Sequence, residues 1–171
     1  MRGGISVISN RYARANNPYL KVEDYDSSRP HSYIYYLDAN NLYGWAMSQR
    51  LPIGGFRFLS DEELSQIDFA NVSYDSDIGY VVECDLDYPA ELHELHNDYP
   101  LAPEHMTITE DMLSPFCKDM NMKHVFTEKL FGTLQRKLKY KVHYRNLKLY
   151  VSLRMKVLHV HRALAFPQSP H

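Results

Sequence analysis

The first pattern along the chain is a series of short apolar runs of the kind that form β-strands. Residues 32–38 are aromatic and β-branched and end in a carboxylate, which predicts a buried strand. Residues 79–86 predict a second strand, and residues 139–143 predict a short third one. Residues 156–166 alternate along their length. This alternation predicts a strand with one apolar face that ends at Pro167, because proline has no N–H for a sheet ladder.

Helix signals lie between these runs. Residues 41–50 contain good helix formers and precede Pro52, which predicts a helix that stops there. Ser60 and Glu63 have the spacing of a capping box at the start of a second helix. Residues 146–153 place apolar side chains on one helical face. Strands and helices together predict an α+β fold with an antiparallel sheet.

Composition limits the class of protein. The chain has 171 residues, of which 44% are hydrophobic and 13% aromatic, as expected of a folded protein. Its two cysteines, Cys84 and Cys117, fit neither a disulfide framework nor a zinc pattern, so we expect a reducing intracellular compartment, with the nucleus as one option. No apolar run approaches the length of a membrane span, so no membrane partner is expected.

The net charge of −2 hides a strong segregation of charge. Residues 61–111 contain 15 acidic residues and no Lys or Arg, whereas residues 123–162 contain 11 Lys or Arg and one acid, Glu128. A basic third of this kind suggests a polyanionic partner. Mutual neutralisation of the two segments within one fold explains the same pattern equally well, and both interpretations stay open.

The most informative single residue is Asp38. A carboxylate after an apolar strand, followed by a turn into a helix, suits a divalent metal, because the strand fixes the ligand and the helix N-terminus receives phosphate oxygens. An ordinary helix N-cap is the competing interpretation. Zinc binding by His93 with His96, or by His159 with His161, lacks a third ligand in sequence and is rejected.

The residues around Asp38 carry a family resemblance. The sequence Asp-Ala-Asn-Asn-Leu-Tyr-Gly at 38–44 resembles motif A of family B DNA polymerases, in the variant of linear plasmids and large DNA transposons. Residues 2–4, Arg-Gly-Gly, resemble the Tyr-x-Gly-Gly motif of protein-primed members, with Met1 in place of the tyrosine. Residues 144–150 and 159–166 resemble the helix and strand that precede motif B in the transposon members.

This resemblance implies roles for the motif residues, with Mg²⁺ or Mn²⁺ as cofactor. Asp38 would be the catalytic metal ligand, and the Ala39 carbonyl would complete the metal shell. Asn41 and the backbone N–H groups of Leu42 and Tyr43 would hold the deoxynucleoside triphosphate. Tyr43 would also exclude a 2′-hydroxyl. A role for Tyr43 as an ordinary core aromatic is the alternative.

The resemblance and the basic pattern also predict contacts to DNA. The predicted DNA-binding residues are Arg2, Gly3, Gly4, Lys139, Lys141, Arg145 and Lys148. Lys137 and Tyr140 interleave with these lysines in a way that suits phosphate contact and base stacking, although a solvated surface has the same pattern. The acidic segment lies where protein-primed enzymes contact a priming terminal protein, and Asp85, Asp87 and Glu94 would face that partner. A solvated acidic face is the alternative.

Three segments follow from these assignments. Residues 1–58 would carry the Arg-Gly-Gly segment and motif A on a partial polymerase palm, residues 59–141 an acidic insertion, and residues 142–171 a helix–strand unit that returns to the palm. The sequence has no motif B lysine and no Asp-Thr-Asp motif, so we expect the chain to be catalytically silent alone, as a truncated or degraded polymerase. The alternatives are a non-enzymatic DNA- or protein-binding remnant and a small nuclease that uses Asp38 with Asp85 or Asp87.

Overall fold

A computed structural model describes residues 5–120 and 128–170. Its main feature is an antiparallel sheet of five strands: β1 (Leu51–Pro52), β2 (Arg57–Phe58), β3 (Ile78–Asp87), β6 (Lys137–His143) and β7 (Lys156–Ser169). These strands lie in the order β1-β7-β3-β6, and β2 also pairs with β7. A separate two-stranded sheet joins β4 (Glu104–Thr107) to β5 (Glu128–Phe131). The mixed helix and strand content and the antiparallel sheet confirm the α+β class.

Four α-helices are present in the described residues: α1 (Leu42–Ser48), α2 (Asp61–Gln66), α3 (Pro115–Asp119) and α4 (Tyr144–Ser152). The helices predicted over 41–50 and 146–153 are therefore confirmed. Ser60 and Glu63 form the predicted capping box, in which the Ser60 hydroxyl accepts from the Glu63 N–H and the Glu63 carboxylate accepts from the Ser60 N–H. None of the described helices is long and apolar enough to cross a membrane.

The core lies on one face of β3. Val82, Cys84 and Leu86 are fully buried there, because alternate residues of a strand point to the same side of the sheet. Leu147 of α4 and Leu92 are buried in the same core. The other face of β3 therefore carries the intervening acidic residues, and this face is called the open face below.

Strand β7 does not end at Pro167 as predicted. It continues to Ser169, and the Pro167 carbonyl accepts a hydrogen bond from the Ile53 N–H. Because the N and C=O of a strand residue point to the same side, the missing N–H of Pro167 faces the interruption between β1 and β2. Gly55, with φ +62°, passes over the proline ring at this interruption. A proline is tolerated where no neighbouring strand needs its N–H.

The simple alternation predicted for β7 is also broken. The register against β3 shifts between Glu83 and Cys84 and again between Asp85 and Leu86. Each shift adds one residue to β7, so that Val160 lies opposite Cys84 on the core side. The same shifts leave the histidines of β7 on the open side, as described below.

Strands from all three predicted segments contribute to the one sheet: β1 and β2 from 1–58, β3 and most of β6 from 59–141, and all of β7 from 142–171. The segment boundaries stay a prediction. In the structure, the acidic strand β3 lies between two basic strands, β6 and β7.

Candidate functional site

The strand predicted over residues 32–38 is not formed. Ser32 makes an isolated bridge with Asn16, and residues 33–38 are exposed and belong to no sheet. The segment is apolar, as its sequence indicates, but its side chains are not buried: Tyr36 is 94% exposed, and its neighbours Tyr35 and Leu37 are similarly open. A strand needs a hydrogen-bonding neighbour as well as a suitable pattern, and none of the described strands lies alongside this segment. Asp38 is therefore an exposed carboxylate that the sheet does not carry, which corrects the expectation of an antiparallel sheet bearing Asp38.

The helix start predicted after Asp38 is present. Helix α1 begins at Leu42, and its N-cap is Asn41, whose backbone adopts the left-handed conformation at φ 53° and ψ 42°. Asn is one of the few residues that enter this region readily. The Asn41 side chain makes no capping bond, and the first helical hydrogen bond runs from the Trp45 N–H to the Asn41 carbonyl at 3.0 Å. Asp38 itself is not the N-cap, so the capping interpretation of Asp38 is wrong.

Asn41 and Gly44 lie next to each other at the helix start. A Cβ on residue 44 would lie 2.5 Å from Asn41 Oδ1 and 2.8 Å from Asn41 Cγ. A side chain at residue 44 would therefore require the Asn41 side chain, which makes no capping bond, to rotate away.

Tyr43 lies in the first turn of α1 and is 87% exposed. A core role for this ring is therefore wrong. Leu42 is likewise exposed. The backbone N–H groups of these two residues precede the first internal bond of the helix, so the intrahelical ladder does not use them. Their predicted contacts with a triphosphate, and the steric role of Tyr43, stay predictions.

The implied magnesium site is incomplete in the described residues. Carboxylate and carbonyl oxygens, such as those of Asp38 and Ala39, are the donors that Mg²⁺ prefers. No cluster of three or more His, Cys, Asp or Glu side chains able to hold a metal occurs within 5–120 and 128–170. Asp38 therefore shares no such group with Asp85 or Asp87 in the described residues, and the small nuclease stays an untested alternative. The donor set does not fit a two-metal centre, and no catalytic step is assigned to this chain alone.

The predicted DNA-binding residues fall in three places. Arg2, Gly3 and Gly4 lie outside the described residues. Arg145 and Lys148 of α4 turn toward the loop before β3, where Arg145 donates to the Tyr74 carbonyl at 2.8 Å and Lys148 to the Val72 carbonyl at 3.1 Å.

Lys139 and Lys141 lie on β6 and are exposed. The two residues predicted to interleave with them are buried: Lys137 is fully enclosed, and Tyr140 packs in the core. The expected alternation of cations with stacking rings along β6 is therefore wrong.

The open face of the sheet holds three carboxylates in a row. Glu83 lies between Lys141 of β6 and Arg162 of β7, with its Oε2 3.6 Å from Lys141 Nζ and 3.1 Å from Arg162 Nη2. The hydrogen bond from Arg162, with Lys141 adding its charge, lowers the pKa of Glu83. Asp87 pairs with Arg136 at 3.3 Å.

Asp85 occupies the middle of this row. Its Oδ1 accepts the Lys139 N–H at 2.7 Å and lies 2.9 Å from His161 Nε2. These two contacts, the backbone bond foremost, hold the pKa of Asp85 below its usual value. The rings of His159 and His161 meet edge to face at 4.6 Å. The neutralisation interpretation of the charge segregation is thus confirmed at β3, where acids of one segment pair with cations of the other.

The remaining histidine pair also has a structural role. His96 Nδ1 lies 2.9 Å from the Tyr88 hydroxyl, and His93 Nε2 lies 3.1 Å from the Tyr88 carbonyl. The Tyr88 hydroxyl also accepts the Leu101 N–H. These contacts fix the loop that follows β3.

Sequence reasoning missed two features of this region. The buried Lys137, which pairs with Glu104 at 3.0 Å, was interpreted as a surface cation. The row of carboxylates had a visible signal, since apolar and acidic residues alternate from Val82 to Asp87 and period two places the acids on one face. Compared with known proteins, the chain matches no family model, no curated protein and no solved structure.

Proposed function

We propose that this chain is part of a DNA-directed DNA polymerase of the protein-primed family B type, with its sheet as part of the palm. In that role Asp38 supplies one carboxylate of the metal site, and deoxynucleoside triphosphate and DNA are the ligands. The observation that carries the proposal is the 38–44 motif. In it, the exposed carboxylate of Asp38 precedes a helix that begins at Leu42, with Asn41 in the left-handed conformation as its N-cap.

The connection of α1 to the sheet supports the same proposal. Gln49 follows α1 and accepts a hydrogen bond from Arg145 of α4 at 3.5 Å, and Arg50 pairs with Asp77 at 2.7 Å. The next residue, Leu51, pairs with β7. The C-terminal end of α1 is thus anchored to the sheet, which leaves the turn at Asp38 open to ligands.

When bound, a divalent metal would lower the pKa of an attacking hydroxyl and neutralise phosphate charge. One exposed aspartate leaves most metal positions to water, so metal binding by this chain alone should be weak. Primer extension with Mg²⁺ or Mn²⁺ should accordingly give no incorporation. Incorporation by the chain alone would refute the expected silence.

The metal assignment can be tested directly with Mn²⁺, whose unpaired electrons broaden nearby NMR signals. The amide signals of Asp38, Ala39 and Asn41 should broaden first as Mn²⁺ is added, and Asp38→Asn should abolish this effect. Asp61→Asn is a matched control, because Asp61 is also exposed and lies in the first turn of a short helix. Broadening that centres on α2, or that survives in the Asp38→Asn variant, would overturn the proposal.

A non-enzymatic DNA-binding module is the second candidate. It is favoured by the incomplete metal site and by the cations on the sheet. Salt-dependent DNA binding that is unchanged by Asp38→Asn, without Mn²⁺ broadening at Asp38, would select it over the polymerase proposal.

A further inference from the structure

The open face of the sheet is layered by charge. The Glu83 side chain is only 10% exposed, whereas the two cations that flank it, Arg162 and Lys141, are 56% and 65% exposed. The same order holds at Asp87 and Arg136, where the acid is again the more covered partner. At these two carboxylates, Glu83 and Asp87, the cations are therefore the partners that a ligand from solvent reaches first.

The pairing with Glu83 does not exhaust the hydrogen-bonding capacity of the Arg162 guanidinium. A guanidinium has five N–H donors in a rigid fork. Arg162 directs Nη2 at Glu83, and its remaining donors are available to an anion from solvent. An acid beneath a guanidinium restricts its rotamers, so less entropy is lost when a phosphate binds.

An apolar depression adjoins these cations. Phe58 of β2, Val81 of β3 and Leu164 of β7 line a hollow of about 190 Å³ together with three charged residues, Glu83, Lys141 and Arg162. The hollow is open to solvent, since Phe58 is largely exposed. The Arg162 guanidinium lies over the Phe58 ring, 5.7 Å from its centre. An exposed ring beside cations is the arrangement with which proteins stack a base and hold its phosphate.

We propose that this open face binds single-stranded nucleic acid, with a base on Phe58 and its neighbouring phosphates on Arg162 and Lys141. The inference rests on the proposed function only in taking the nucleic acid to be DNA. The residues that would contact this DNA lie on β2, β6 and β7. The α4 cations Arg145 and Lys148 instead hold the loop before β3.

The experiment measures the affinity of the intact chain for fluorescent oligothymidine of about 12 nucleotides, a length within the range that small single-strand sites cover. Arg162→Gln and Lys141→Gln should each weaken binding roughly 3- to 10-fold at low salt. Each should also reduce the salt slope by about 0.7 to 1, because one phosphate contact is lost. Lys129→Gln is the matched control and should leave both quantities unchanged, because Lys129 is exposed on β5 of the separate sheet. Lys148→Gln tests the competing contact at α4.

Substitutions at the ring test the stacking contact. Phe58→Leu keeps an apolar side chain but removes the aromatic face, so it should weaken binding about 10-fold, and Phe58→Trp should retain affinity. Circular dichroism and a thermal melt establish that each variant is folded before its affinity is compared.

The outcomes separate this inference from the proposed function. Asp38→Asn should not change the affinity for oligothymidine, and Arg162→Gln should not change Mn²⁺ broadening at Asp38. The inference is refuted if the chain does not bind the oligonucleotide at low salt. It is equally refuted if Lys148→Gln weakens binding while Arg162→Gln does not, or if anionic lipid vesicles bind this face and DNA does not.

Discussion

The most demanding prediction concerns Lys137, a lysine with no solvent exposure. Its ammonium donates to the Thr133 carbonyl at 3.1 Å and to the Thr133 hydroxyl, and pairs with Glu104 Oε2 at 3.0 Å. Three partners match the three N–H donors of an ammonium, so the charge is fully satisfied. This contact joins the start of β6 to the separate β4–β5 sheet.

Lys137→Met keeps most of the apolar stem and removes the charge. Loss of one partner of a buried pair costs about 3–5 kcal/mol, because the remaining charge is left uncompensated. The Glu104 side chain is 31% exposed and can recover part of its hydration. We therefore expect a loss of about 2–4 kcal/mol in the free energy of unfolding. The exposed Lys139 on the same strand provides the control, and Lys139→Met should change stability by less than about 0.5 kcal/mol.

Urea denaturation followed by far-UV circular dichroism measures these differences, since the single tryptophan, Trp45, is exposed and would report little on the core. The double variant Lys137→Met with Glu104→Met should regain at least about 1 kcal/mol relative to Lys137→Met, because it no longer leaves an unpaired carboxylate. Equal stabilities for Lys137→Met and Lys139→Met would show that Lys137 is not an enclosed, paired cation, and would refute the reasoning.

Two further predictions concern single titratable groups. His143 Nδ1 accepts the Arg145 N–H at the start of α4, and burial, aided by the Arg145 charge, lowers the pKa of His143. The unfolded chain then binds this proton more readily, so stability should fall as the pH drops from about 6.5 toward the folded-state pKa. His143→Asn, which retains an acceptor without titrating, should flatten this part of a urea-midpoint profile, and an unchanged slope would contradict the assignment. Burial also raises the pKa of Cys84 to about 12, so a thiol reagent at about pH 8 should label Cys84 only as the chain unfolds; fast labelling of the Cys117→Ser variant, in which Cys84 is the one remaining cysteine, would argue against a buried Cys84.

The elements that were predicted best from the sequence are those determined by residues close together in the chain. The strand at 79–86 was predictable because apolar and polar residues alternate there, and the capping box because Ser60 and Glu63 satisfy each other within one turn. The prediction of a strand at 32–38 was wrong because a strand needs hydrogen-bonding partners from elsewhere in the fold. The prediction that Lys137 lies on the surface was wrong for a similar reason, since no residue near Lys137 in sequence identifies Glu104 as the partner that allows its burial.

The register of β7 shows a different limit of sequence reasoning. Alternation along 156–166 assumes that every residue advances the ladder by one position, whereas two shifts against β3 each add a residue. Asp85 of β3 then lies beside His159 and His161 on the open side, and Val160 still reaches the core. Charge composition could predict that acids and cations meet, but only the register determines which ones do.

The environment of Asp38 decides what that carboxylate can do. In water it binds a divalent cation weakly, because the ion keeps most of its own hydration. The residues before it, 33–37, and the first turn of α1 form an exposed apolar surface, and surfaces of this kind usually mark contacts. Covering that surface would lower the local dielectric and strengthen the attraction between the Asp38 carboxylate and a bound cation. Under the polymerase proposal, Asp38 should therefore bind metal more tightly when its apolar surroundings are covered. An Mn²⁺ affinity that rises when residues 33–37 become protected from solvent would be the expected signature.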